Sequence, residues 1–358
     1  MQSTYNYLPF LALACLMLTA CEVEEISGPT GEDHFLNYEV PVEPVDQDYN
    51  VGAFYFFQNQ IPSVQYTPSV GSYNAQQLRN VYGRHVAQAQ AAGVDFFVFD
   101  QRRQGNFRQD STFIANLIRA EGGEEMKFAL SINVVNLNFD APAQVAGITQ
   151  ELTNLADGFF SRDNYATTDD GRPIIYFSQG VTIFTNGDYA NVMRPVRDAL
   201  SAVGIDAYII AEQQSWQPAQ RFLDRVATNF DAVAQTSYAN PIFPAFYDRY
   251  ILFENIVDQA YEYNSNIFEM AGLDYITTIS PSYDITVQNA NSNNFVFPKD
   301  SFGVDFFFES ANLARRHTTD NIVLIDSWNN FNQDSQIEAT EEYGTLYLDA
   351  VREAFTPN

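Results

Sequence analysis

The chain has few of the residues on which metal, thiol and nucleic-acid sites depend. Its 358 residues include two Cys, three His and 18 Lys or Arg, against 45 Asp or Glu, so the formal charge is −27. Binding to phosphate backbones and anionic membranes rests on Lys and Arg, so this charge excludes nucleic-acid partners. His34, His85 and His317 fall in a polar segment or on predicted helices. We therefore predict no metal site, and the sequence indicates no cofactor.

Long apolar runs are also scarce. Residues 8–20 are too short to span a bilayer permanently and are typical of a secretory signal. The run ends in Leu18-Thr19-Ala20-Cys21, which resembles the bacterial lipobox, in which the cysteine becomes the lipidated first residue. We predict a signal peptide over 1–20, lipidation of Cys21 and a flexible acidic tether over 21–48.

Acidic residues directly after the predicted lipidation site indicate where in the cell the protein is located. Glu22, Glu24 and Glu25 resemble export signals on surface lipoproteins of Bacteroidetes-type bacteria. We therefore expect an outer-membrane lipoprotein at the cell surface, with the periplasmic face as the alternative. Contact with the membrane is expected only through the lipid.

From Tyr49 onward, apolar runs of strand length alternate with longer amphipathic stretches. Near-continuous hydrophobicity is typical of parallel strands covered on both faces. Eight such pairs predict a (β/α)₈ TIM barrel over 49–358, with an open doubly wound sheet as the rival. The predicted strands are 51–57, 94–99, 127–132, 173–177, 206–211, 231–236, 274–280 and 321–327. The predicted helices are 75–92, 110–121, 141–157, 188–203, 217–228, 247–271, 303–317 and 339–355.

In such a barrel the ligand site lies at the carboxyl ends of the strands. The residues there are mainly amides and aromatics, which suit a hydroxyl-rich ligand. The predicted ligand contacts are Tyr55, Gln58, Asp100, Arg102, Arg103, Asn133, Glu212, Tyr238, Tyr283, Asp284, Trp328, Asn329 and Asn330. We expect Tyr55, Tyr283 and Trp328 to line the cleft as sugar platforms, with a partly core position as the alternative for Trp328.

Three cations follow the second predicted strand in Gln101-Arg102-Arg103-Gln104-Gly105-Asn106-Phe107-Arg108. Two interpretations remain open. The arginines form salt bridges to nearby acids, or they bind a carboxylate or sulfate on a charged sugar, since a guanidinium matches such groups bidentately.

The carboxyl-terminal stretch Ile325-Asp326-Ser327-Trp328-Asn329-Asn330-Phe331-Asn332-Gln333, followed by Tyr343-Gly344 and Tyr347-Leu348, carries a family resemblance. It is similar to the last strand and helix of glycoside hydrolase family 99 and its WbsX-like relatives. Val51-Gly52-Ala53-Phe54-Tyr55, Asp170-Gly171-Arg172-Pro173-Ile174 and Ser280-Pro281-Ser282-Tyr283-Asp284 resemble other family segments in the same order. The resemblance implies a barrel that acts on α-mannose polymers without an obligatory metal.

The same resemblance implies that two catalytic carboxylates are missing. The family's two glutamates fall on Asn330 and Gln333, and a third family glutamate appears as Asn133. An amide neither donates a proton nor stabilises a cation as a carboxyl group does. Gln333 joins the predicted ligand contacts, because amides of this shape still hydrogen-bond a sugar.

Two functions follow from these observations. In the first, the protein binds a polysaccharide or oligosaccharide through an inactive hydrolase site, together with other glycan-uptake lipoproteins. In the second, it is an endo-glycosidase whose carboxylates have moved, with Asp284, Glu212 and Asp100 as candidates. Asp326 and Glu338 are interpreted as structural supports.

Overall fold

The computed structural model describes residues 39–57, 65–71, 73, 78–101, 107–134, 137–181, 192–214, 220, 223–239, 249–292 and 296–357. For residues 78, 100–101, 107–111 and 249–252 it describes the backbone alone. Residues 40–358 form one compact unit.

Eight parallel strands close into a barrel in the order of the sequence. They are β1 (Asn50–Tyr55), β2 (Phe96–Gln101), β3 (Lys127–Asn133), β4 (Ile174–Ser178), β5 (Tyr208–Gln213), β6 (Ala232–Gln235), β7 (Asp274–Ile279) and β8 (Ile322–Ile325). The pairing of β1 with β8, with Val51 opposite Val323, completes the closure.

Helices follow the strands and form the outer ring. The described helices are α1 (Leu78–Ala92), α2 (Phe107–Ile118), α3 (Pro142–Leu155), α4 (Arg194–Ala202), α5 (Leu223–Ala227), α6 (Arg249–Met270), α7 (Asp305–His317) and α8 (Leu346–Phe355). A π-helical turn, Ala156–Phe160, extends α3, and one helical turn, Lys299–Phe302, precedes α7.

Alternation along the strands divides the core into two layers. Successive strand residues point to opposite faces, so every second side chain enters the barrel. One buried cluster fills the barrel with residues such as Phe96, Ile174, Tyr176 and Leu324. The larger cluster lies between the strands and the helices. Gly52 belongs to the inner face, where an added Cβ would lie 2.4 Å from the Phe96 ring.

The predicted fold class is confirmed, because the sheet is closed and parallel throughout. The open-sheet rival is wrong, since its two outermost strands would not pair. The predicted signal peptide, Cys21 and most of the tether lie outside the described residues. Among the helices that the structure describes, none combines the length and apolar character needed to cross a membrane.

Candidate functional site

The inner face of the barrel changes from apolar to polar at the carboxyl ends of the strands. Continuing the alternation past Tyr176, Ile210 and Leu324 of the inner cluster leads to Ser178, Glu212 and Asp326. All three are only partly buried. Hydroxyl and carboxyl groups therefore face one another across the barrel mouth, the region in which barrel enzymes bind their ligands.

Glu212 is held by donors from two neighbouring chain segments. One carboxylate oxygen accepts a hydrogen bond from the backbone N–H of Gln179 at 2.5 Å. The same oxygen lies 3.3 Å from Ser178 Oγ and 3.3 Å from Gln214 Nε2. Burial raises the pKa of Glu212, while these donors act in the opposite direction. The carboxyl group is therefore fixed in place and retains more proton affinity than an exposed glutamate.

Asp326 follows β8 and faces the same space. Burial raises its pKa to about 7, and the negative charge of Glu212 contributes to the increase. Its backbone N–H donates to Ile279 O at 2.8 Å, which fixes the residue against β7. Asp326 therefore keeps its proton to a higher pH than an exposed aspartate does.

Tyr176 completes this cluster from β4 and was not predicted as a site residue. Its ring is 2% exposed, and its hydroxyl donates to Glu212. Burial raises its pKa well above the usual range, and the charges of Glu212 and Asp326 raise it further. Tyr176 therefore stays a hydrogen-bond donor. The alternation of side chains along β4 from Ile174 would have placed Tyr176 on the inner face beside Glu212.

A second group of predicted residues lies together in the loops after β7 and β8. The backbone N–H of Asp284 donates to Gln333 O at 2.7 Å. Asn330 Nδ2 donates to Gln333 Oε1 at 2.9 Å, so the two amides that were expected in place of the family's glutamates contact each other. Asp284 is 9% exposed, and its Oδ1 accepts from Thr286 N at 2.8 Å. That carboxylate caps the 3₁₀ turn Ile285–Val287.

A buried ion pair fixes the loop that carries Asn330 and Gln333. Lys299 Nζ donates to Asp334 O at 2.6 Å and to Asp334 Oδ1 at 3.2 Å. The side chains of both residues are 1% exposed. Burial lowers the pKa of Lys299, and Asp334 opposes that effect. The Lys299 ammonium also lies 5.1 Å from the centre of the Tyr347 ring, a cation–π contact.

The aromatic residues predicted as ligand contacts lie outside the barrel interior. Tyr55, Tyr238, Tyr283 and Trp328 are at most 3% exposed and belong to the cluster between strands and helices. This placement differs from the sugar platforms expected for Tyr55 and Tyr283, and for Trp328 it agrees with the core alternative. For Tyr55 the reason is strand parity, because Tyr55 follows the inward-facing Phe54. Trp328 lies in the loop beyond β8, where alternation no longer applies, and its ring packs against Phe97 with ring centres 5.1 Å apart.

At the end of β1, buried polar side chains join β1, α1 and the loop after β8. His85 Nδ1 contacts Tyr55 Oη at 2.8 Å, and His85 Nε2 lies 3.0 Å from Glu338 Oε1. Tyr73 contacts both His85 and Glu338. Glu338 therefore supports the structure, in agreement with its interpretation from the sequence.

The remaining predicted residues divide into three groups. Asn133 ends β3 and pairs in register with Ser178, at the edge of the mouth. Asn329 is fully buried and is held by the backbone of Phe56, whose N–H donates to Asn329 Oδ1 at 2.8 Å. Only the backbone of Asp100 is described, and Gln58, Arg102 and Arg103 lie outside the described residues. Within the described ranges, no three His, Cys, Asp or Glu side chains are grouped to hold a metal ion.

Comparison with known proteins gives structural relatives alone. No family model matches the sequence, and no curated protein matches it. A solved glycoside hydrolase-like protein is similar, with 28% identity, a TM-score of 0.77 and coverage of 91% of this chain and 99% of that chain.

Two solved structures of an endo-α-mannosidase of glycoside hydrolase family 99 from Bacteroides thetaiotaomicron are also similar. The complex with bis-tris-propane is 12% identical, has a TM-score of 0.63 and covers 86% of this chain and 96% of that chain. A second structure is 11% identical, with a TM-score of 0.60 and coverage of 85% and 96%. At this identity the similarity concerns the fold. The chain therefore has a glycoside hydrolase-like (β/α)₈ barrel fold similar to that of the family 99 endo-α-mannosidases.

Proposed function

We propose that the protein binds a saccharide at the mouth of its barrel. The observation that carries this proposal is the polar layer formed by Ser178, Glu212 and Asp326 at the carboxyl ends of the strands. Such groups offer both donors and acceptors to sugar hydroxyls. The similar structures support a carbohydrate as the ligand, because their names are those of glycoside hydrolases.

The loop after β8 favours binding over turnover at the family's usual position. Asn330 and Gln333 hydrogen-bond each other at 2.9 Å, and neither can donate a proton as an acid. Their amides instead carry both the donors and the acceptors that sugar hydroxyls bind. We accordingly propose that these two residues contribute to binding and perform no acid–base step.

A second candidate function is glycoside hydrolysis by Glu212 and Asp326. Hydrolysis needs one carboxyl group to protonate the leaving oxygen and a second to stabilise or attack the sugar carbon or activate water. With its pKa raised to about 7, Asp326 keeps its proton to a higher pH than an exposed aspartate does and suits the acid role. Glu212, fixed by the Gln179 N–H and the Tyr176 hydroxyl, suits the second role.

One experiment separates the two functions. Purified protein is titrated with neutral α-mannan, and released reducing ends are measured in parallel. The variants Glu212→Gln and Asp326→Asn are compared with Glu269→Gln, an exposed position on α6. Binding without reducing ends establishes a binding protein.

Hydrolysis by Glu212 and Asp326 predicts a different result. Reducing ends would then form and fall by about 10²–10⁴-fold in the Glu212→Gln and Asp326→Asn variants, with Glu269→Gln unchanged. If the wild-type protein binds neither α-mannan nor any other glycan in a panel of neutral and charged polysaccharides, the proposal of a saccharide site is refuted.

We further propose that Cys21 is lipidated and anchors the protein to the outer membrane, beside other glycan-uptake lipoproteins. The support is the lipobox-like sequence before Cys21. In cells, the Cys21→Ser variant should move from the membrane fraction to the soluble or unprocessed fraction, whereas Cys15→Ser should not. Equal fractionation of both variants would contradict the anchor.

A further inference from the structure

Three arginines line one groove on the outside of the barrel, between α1 and the end of α2. The groove has a volume of about 680 Å³, and its lining includes Arg79, Arg84 and Arg119. The whole chain has only 18 Lys and Arg residues against 45 acids. Three of these 18 basic side chains therefore lie in one groove.

These arginines also lack the carboxylate partners that several other arginines of the structure have. Arg172 and Arg197 each lie 2.6 Å from an Asp231 oxygen, and Arg316 lies 3.0 Å from Asp258. Among the residues that the structure describes, no carboxylate forms an ion pair with Arg79, Arg84 or Arg119. Their positive charges are consequently available to a ligand.

Backbone carbonyls hold two of the guanidinium groups in position. Arg84 donates to Val70 O at 3.1 Å and to Ser69 O at 2.9 Å. Arg79 Nη2 donates to Arg119 O, just beyond α2, at 3.4 Å. A carbonyl orients a guanidinium without cancelling its charge, so the groove presents partly fixed cations.

The remaining lining indicates the chemistry of the ligand. Asn80 and Gln90 add amide groups, and Glu121 is the one acid in the lining. Guanidinium groups bind sulfate and carboxylate oxygens bidentately. Amides bind hydroxyls. The volume falls within the usual range of ligand sites.

We propose that this groove is a second binding site, which holds a sulfate or carboxylate group of an anionic polysaccharide. The choice of a saccharide rests on the proposed function. The groove is separate from the mouth, because Gly83 and Val86 of α1 and Gly122 after α2 line it on the outer surface. A charged chain could thus be retained by the groove while the mouth engages another part of it.

Affinity electrophoresis with dextran sulfate, polygalacturonate and unmodified dextran tests the groove. The variant Arg79→Ala/Arg119→Ala removes two exposed cations and leaves Arg84, which supports the preceding loop. The matched control Arg194→Ala/Arg352→Ala removes two arginines whose side chains are 79% and 53% exposed. Wild-type retardation by dextran sulfate or polygalacturonate should weaken as salt increases.

The groove variant should raise the dissociation constant for the anionic polysaccharide about tenfold or more, and the control less than about twofold. No retardation of the wild-type protein, or equal loss in both variants, overturns the proposal. Arginine-dependent binding to vesicles of phosphatidylglycerol, without binding to either polyanion, overturns the assignment to a saccharide. Binding of neutral glycan that depends on Glu212 would report on the mouth separately. If that binding occurs but the polyanions do not retard the protein, only the proposed groove site is overturned.

Discussion

At the scale of single residues, the buried pair Lys299–Asp334 holds the loop after β8. The Lys299 backbone N–H also donates to Asp334 Oδ2 at 3.1 Å, so side chain and backbone together hold the loop after β8. Lys299→Met would leave the Asp334 carboxylate buried without its counter-ion. We expect a loss of about 3–5 kcal/mol in the free energy of unfolding, measured in urea. Lys299→Met/Asp334→Asn should lose less, and equal losses would show that the unpaired charge is not the cause.

The raised pKa of Asp326 predicts that the free energy of unfolding depends on pH. Its pKa in the folded protein is about 7, above the value of about 3.9 expected when unfolded. The stabilisation that protonation provides is therefore complete below about pH 4 and is lost as the pH rises through about 7. Asp326→Asn cannot ionise, so its free energy of unfolding should rise relative to wild type between pH 4 and pH 8.

Urea titrations at several pH values measure this difference. Asp206→Asn is the control, because the Asp206 side chain is 85% exposed and the substitution removes the same charge. A constant offset between Asp326→Asn and wild type across that pH range would contradict the assigned pKa.

Site residues could be predicted from the sequence where their position at a strand end alone decided their role. Glu212 was identified at a strand end, but Asp326 was interpreted as a support and Tyr176 was missed. The aromatics were misplaced because an aromatic at a strand end fits a sugar platform and the outer core equally well in sequence. The face of the strand on which a residue lies distinguishes the two positions. For Tyr55 the 2.8 Å contact of its hydroxyl with His85 establishes that face as the outer one.

At the scale of elements, Gly52 determines how closely β1 approaches its neighbours inside the barrel. A Cβ there would lie 2.4 Å from Phe96 and 2.8 Å from Leu324. Gly52→Ala should therefore cost about 1–3 kcal/mol through overpacking. Gly147 on α3 is exposed with open space around its Cβ, so Gly147→Ala should instead stabilise by about 0.5–1 kcal/mol. Thermal unfolding of both variants tests the opposite signs, and a neutral Gly52→Ala would contradict tight packing.

The strands were predicted more accurately than the helices. Each predicted strand lies within three residues of the observed one, because near-continuous apolar runs end where the backbone leaves the barrel. The helix predicted from 339 begins instead at Leu346. Thr340 and Gly344 form a β-bridge, and Glu338 is bound to His85, so these long-range contacts override the local helical pattern.

At the scale of the whole molecule, the charge of −27 predicts a stabilising effect of salt. Like charges on a compact surface repel one another, and ions screen that repulsion. The thermal midpoint should rise when NaCl increases from about 0.05 M to about 0.5 M. The variant Glu262→Lys/Glu269→Lys, on the exposed face of α6, lowers the negative charge by four and should respond less. A larger response would refute repulsion as the cause.

The segment that enters the barrel before β1 lies at the amino ends of the strands. Asn50 N–H donates to Asn321 O at 2.8 Å, at the amino ends of β1 and β8. Arg315, in the last turn of α7, donates to Glu43 O at 3.0 Å, so the segment before β1 runs along that same end. Glu212 and Asp326 lie at the opposite pole. A surface that holds the protein by its leading segment would leave the pole with Glu212 and Asp326 unobstructed, so a long polymer could reach the proposed saccharide site without passing the support.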